Sequence, residues 1–205
     1  MRIQIYKKNT GNGNFRRRLA TLPEVKYDLK NELRLMFTAF YEAVKLYRRE
    51  VQQTPPQSRS RGFEASLLNS KMIQSVQKHF PVNWEFSRYK RFTLRVNGYI
   101  VLFKKLTNKN MPMNIRTKAV DAISNQLTMP LFNDASFCQL PILHFGYHKD
   151  KFGQITNPRL VYIDEGNVKW VIDEASIETF NSVVAETKTE EATPVLKSKA
   201  KKKTG

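Results

Sequence analysis

Between Val25 and Val51 the apolar residues return at helical intervals. Val25, Leu29, Leu33, Met36, Phe40, Val44, Tyr47 and Val51 are spaced 4, 4, 3, 4, 4, 3 and 4 apart, which predicts one long amphipathic helix. Thr21-Leu22-Pro23-Glu24 ahead of it is a capping-box pattern, with proline in the first turn, where its missing N–H leaves no bond unmade. Pro55 lies beyond the other end. The opposite surface carries Lys26, Lys30, Arg34, Lys45, Arg48 and Arg49 among Asp28, Glu32 and Glu50, and reads as a solvated face. A second helix is predicted over 63–79, with Leu67, Leu68, Ile73 and Val76 inward and Pro81 as its stop.

The period then changes from 3.6 to 2. Arg91-Phe92-Thr93-Leu94-Arg95-Val96, Asn97-Gly98 and Tyr99-Ile100-Val101-Leu102-Phe103-Lys104 read as a two-residue hairpin, because Asn-Gly supplies the positive φ angles of a type I′ turn. A two-residue loop pairs Val96 with Tyr99, Leu94 with Val101 and Phe92 with Phe103, so that face is core. The other face pairs Arg95 with Ile100, Thr93 with Leu102 and Arg91 with Lys104. It is either exposed and basic, or half covered by a helix whose acidic groups meet the arginines.

Downstream, 114–126 reads as a short helix with Ile115, Val120 and Ile123 inward, and 139–148 as a strand. Arg159–Ile163 and Val168–Ile172 flank Asp164-Glu165-Gly166-Asn167 as a second hairpin, and 175–184 continues as a short helix. Helices early and a meander late predict an α+β fold: the long helix and helical segment pack on an antiparallel sheet of two hairpins. The expected organisation is a basic, flexible or extended segment at 1–20, one α+β domain at 21–184, and a disordered Lys-rich tail at 185–205.

Charge sharpens this picture. The chain of 205 residues has 35 Lys and Arg against 18 Asp and Glu, a formal net charge of +17. The tail from Ala185 holds six Lys and three Glu, a net of +3, so the remainder is itself basic. Hydrophobic residues make up 40% of the chain, too many for a disordered basic protein. No run of 18 apolar residues suggests a membrane span, and Met1 to Lys8 lacks the apolar stretch of a secretory signal. The lone Cys138 forbids an internal disulfide. The expectation is a soluble cytoplasmic protein.

Most catalytic chemistry finds no support in these residues. His144 and His148 on a strand lie about 13 Å apart at ~3.3 Å per residue, too far to share a metal ion unless the backbone bends sharply near Gly146. They read as residues of the less buried face, or as groups that lean against a phosphate. Glu24-Val25-Lys26 and Glu186-Thr187-Lys188 have a nuclease spelling without paired strands to hold divalent ions. Gly11-Asn12-Gly13-Asn14 lacks the Gly-Lys-Ser/Thr of a phosphate loop. No cofactor is expected.

Nucleic acid is the expected partner, because excess positive charge binds phosphates by releasing their counterions. The candidate contacts are Arg16, Arg17, Arg18, Arg59, Arg61, Arg88, Tyr89, Lys90, Arg91, Arg95 and Lys104, with Tyr89 and Trp84 placed to stack on unpaired bases. Two alternatives stand beside it. One is an acidic protein partner, as in one half of a toxin–antitoxin or defence pair. The other is a metal-free RNase assembled from Arg91, Arg95, Lys104, His144 and Tyr147.

Overall fold

A computed structural model describes residues 15–87, 90–128 and 139–177. Helices α1 (Leu22–Asp28), α2 (Lys30–Val51) and α3 (Phe63–His79) come first, with a 3-10 turn at Pro56–Ser58 between the last two. Strands β1 (Trp84–Ser87), β2 (Arg91–Val96) and β3 (Tyr99–Lys105) follow, then α4 (Lys118–Ser124), then β4 (Ile142–Lys149), β5 (Ile155–Asp164) and β6 (Asn167–Asp173). The class is α+β.

The long apolar stripe is buried as expected: Val25, Leu29, Met36 and Phe40 are all at most 1% exposed. The helix is nevertheless two segments. Leu29 leaves helical geometry at φ −105°, ψ 17°, yet its N–H still donates to Val25 O at 3.0 Å and its carbonyl still accepts from Leu33 N at 2.8 Å. The two segments keep their apolar stripe in one core. Helix α3 occupies the predicted 63–79.

The first hairpin has the predicted register, with Val96 opposite Tyr99, Arg95 opposite Ile100 and Leu94 opposite Val101. Asn97 and Gly98 both carry positive φ, 45° and 82°. The second hairpin turns on Glu165 and Gly166, also at positive φ. Strand β1, at the edge of the sheet, was not in the sequence reading; Trp84 and Phe86 there form an aromatic cluster with Phe92.

One departure matters for function. The six strands form a single sheet in sequential order, and the two antiparallel blocks join through a parallel pair, β3 with β4. Parallel neighbours require a crossover, and the connection carrying α4 supplies it. Helices α2 and α3 cover one face, over Leu94, Val101, Leu143, Phe145, Leu160 and Tyr162. On the other face Ile123 and Ala119 of α4 pack on Ile100, Leu102 and Ile142.

Helix α4 is shorter than predicted. Thr117 caps it, its Oγ1 accepting from Val120 N at 3.2 Å, so Ile115 lies ahead of the helix and is 87% exposed rather than inward. Residues 174–177 are helical; the rest of the predicted 175–184 helix, the tail and residues 1–14 lie outside the described residues. Among the described residues no helix is long and apolar enough to cross a membrane.

Candidate anion site

The basic face of the first hairpin is half covered, by α4. The acid that meets its arginine comes from elsewhere: Glu85 on β1 accepts a hydrogen bond from Arg95 Nη2. Four residues earlier, at the start of β2, Arg91 has no such acid among the described residues.

Parity and register assemble the site. The hairpin register runs from Val96–Tyr99 to Leu94–Val101; beyond it Arg91 and Lys104 line the same space, and the parallel seam sets Leu102 opposite His144. Lys104 is therefore one same-face step from His144's partner, close enough for long side chains to meet. Arg91, Lys104 and His144, with Leu102 beneath and Asn114, Val120, Ile123 and Ser124 around them, line a slot of about 10 Å³. A groove of about 480 Å³ adjoins it and shares Asn114, Val120 and Ser124.

The electrostatics are one-sided. Burial lowers the pKa of Arg91. Burial and then the nearby Arg91 charge lower that of Lys104. Among the described residues no carboxylate acts on either group. His144 is only 2% exposed; burial, followed by the charges of Lys104 and Arg91, pushes its pKa from 6.5 to about 3. It is a neutral imidazole near pH 7, and its buried Nδ1 has no hydrogen-bond partner among the described residues. Two cations drawn out of water without a counter-ion are unfavourable by themselves. An entering anion would relieve the cations and meet the imidazole.

Several of the other predicted contacts are engaged within the fold. Arg16 pairs with Asp164 and, at 3.4 Å, with Glu165. Arg17 is 3% exposed and donates to the carbonyls of Leu127 and Leu140. Arg18 pairs with Glu24 and lies 5.0 Å from the centre of the Tyr99 ring. Together they dock the N-terminal segment, whose main-chain N–H groups at Arg17 and Arg18 reach Gln126 O and Gln139 O. Arg59 donates to Val51 O at 2.8 Å and Thr54 O at 2.9 Å, and bonds Glu64 at 3.0 Å, closing the end of α2. Arg61 and Lys90 are exposed. Arg88 and Tyr89 lie outside the described residues. Trp84 stacks on Phe92 with ring centres 6.1 Å apart.

Of the residues proposed for an RNase, three come together. Tyr147 is on the opposite face, 5.9 Å from the Phe40 ring. His144 was expected on a less buried face and is instead among the most enclosed polar side chains, because α4 covers the seam. Asn114 and Ser124 were missed; no periodicity marks a residue that borders a site from a loop or a helix end.

No protein-family model, no curated protein and no solved structure matches this chain.

Proposed function

We propose that the protein binds nucleic acid, RNA or DNA, through phosphate contacts, and that Arg91 and Lys104 are central to that binding. The observation that carries the reading is the half-buried Arg91–Lys104 pair, which lines one slot with no ion-paired carboxylate among the described residues. Cations held on neighbouring strands are fixed in place, and phosphate oxygens are the anions that a +17 chain would meet most often. His144 contributes a neutral imidazole. With a pKa of about 3 it is poorly matched to proton transfer near neutrality, so the arrangement favours holding an anion over cleaving one.

The test is binding of an unstructured oligonucleotide across a salt series, with Arg91→Met and Lys104→Met beside the unaltered chain. Each variant should lower the slope of log affinity against log salt by roughly one counterion. Unchanged slopes in both folded variants refute the assignment. No binding at ~100 mM salt, with stoichiometric co-purification of an acidic polypeptide, would transfer the function to a protein partner.

A further inference from the structure

We infer that the slot under α4 takes the terminal phosphomonoester at the end of a single strand, in preference to the internal diesters of a duplex. This rests on the phosphate-binding reading above and narrows it.

The geometry argues for an end. Arg91 and Lys104 sit on the floor of the sheet, and Val120, Ile123 and Ser124 of α4 border the space above them. A duplex phosphate is a ridge flanked by sugar on both sides and meets cations that project from a surface. It cannot follow its neighbours beneath a helix. The enclosed space, about 10 Å³, is of the order needed for a single oxygen-sized group. A terminal phosphate presents oxygens on a free tip, so one can enter while the ester oxygen stays at the mouth.

Charge argues the same way. A phosphomonoester carries about −1.5 to −2 near neutrality, whereas each internal diester carries −1. Two cations in one slot, with no carboxylate acting on them among the described residues, match the former. His144 adds selectivity: a neutral imidazole has one donor and one acceptor. His144 lines the slot, and an imidazole nitrogen there can meet a phosphate oxygen or the proton of a monoprotonated phosphate. A diester has no such proton.

The neighbouring groove gives the rest of the terminal nucleotide a place. At about 480 Å³, with Met111 on its apolar side and Asn125 and the Arg116–Asp121 ion pair on its polar side, it lies within the size range of small-molecule sites. Asn114 and Ser124 border both spaces, where a sugar would bridge phosphate and base.

The experiment uses the full chain and one internally labelled single strand in three forms: 5′-phosphate, 3′-phosphate, and hydroxyl at both ends. At ~150 mM salt one phosphorylated form should bind at least about tenfold tighter than the hydroxyl form. That preference should vanish in Lys104→Met and Arg91→Met. Inorganic phosphate should compete with the preferred strand and shift the His144 imidazole resonances of the unaltered protein, a readout that stands even if a variant fails to fold. Equal binding of all three forms, with the salt dependence intact, overturns the end-phosphate assignment and leaves nucleic-acid binding standing. Binding of inorganic phosphate without any preference among strands overturns it too, and makes the slot a small-anion site. No binding of any strand overturns both.

Discussion

The side-chain amide of Gln126 pairs twice with the main chain of Ile142: Nε2 donates to its carbonyl at 2.9 Å and Oε1 accepts from its N–H at 3.0 Å. The same Nε2 donates to Ile163 O at 2.7 Å. Gln126 is fully buried and follows α4, so it stitches the crossover to the start of β4 and the end of β5. Gln126→Leu should lower stability by about 2–4 kcal/mol, because it strands buried main-chain groups. A urea midpoint reads this; a change below about 0.5 kcal/mol, the ordinary scale of surface substitutions, would show that the main chain finds other partners.

A second prediction concerns Gly146. A Cβ there would come within 2.7 Å of both Leu106 methyl carbons, and Leu106 is itself 2% exposed. Gly146→Ala should therefore cost about 1–3 kcal/mol through overpacking. Leu106→Ala should cost about 2–5 kcal/mol alone. The double variant should be less destabilised than the two added together, since each relieves the other's defect. Strict additivity in thermal or chemical unfolding would place the strain elsewhere.

Acid should weaken the fold before the carboxylates titrate. His144 has a folded pKa of about 3 against 6.5 unfolded. Between those values the unfolded chain binds a proton that the folded chain excludes, so stability falls as pH drops through that window, by up to about 1.4 kcal/mol per pH unit. His148, lowered by burial and then by Arg159, adds in the same sense. Glu42, held low by Lys78 and His79, and Glu64, held low mainly by Lys149, lose their contributions only below about 4.5. His144→Gln should flatten the pH dependence of the unfolding midpoint between pH 6.5 and 5. An unchanged slope would mean that His144 accepts a proton in the folded state.

Two neighbouring arginines should behave oppositely. Arg59 closes the end of α2 and bridges to α3 through Glu64, so Arg59→Ala should destabilise by about 1–3 kcal/mol. It should also speed proteolysis between the helices. Arg61 is exposed, and Arg61→Ala should leave the unfolding midpoint within about 0.5 kcal/mol. Equal effects would contradict the division of labour between them.

What was legible in the residues follows from locality. The α2 stripe and the Asn97-Gly98 hairpin depend on neighbours in sequence, so period and turn chemistry predicted them. Parity put Arg91 and Lys104 on one face for the same reason. The parallel seam was hidden because a long connection separates Lys105 from Ile142, and nothing in either strand's pattern names its partner. Without the seam, His144 had no visible neighbours. Arg16, Arg17, Arg18 and Arg59 looked like a phosphate footprint because a basic run is silent about the carbonyls and carboxylates that fold onto it.

The seam between β3 and β4 also makes the slot a joint. Arg91 and Lys104 belong to the first three strands, His144 to the last three, and each block is held internally by antiparallel pairing. A guest that neutralises the cations while touching the imidazole would clamp the two blocks together. Its binding energy would then add to the cohesion of the sheet by mass action. Resistance to heat would become a direct gauge of occupancy.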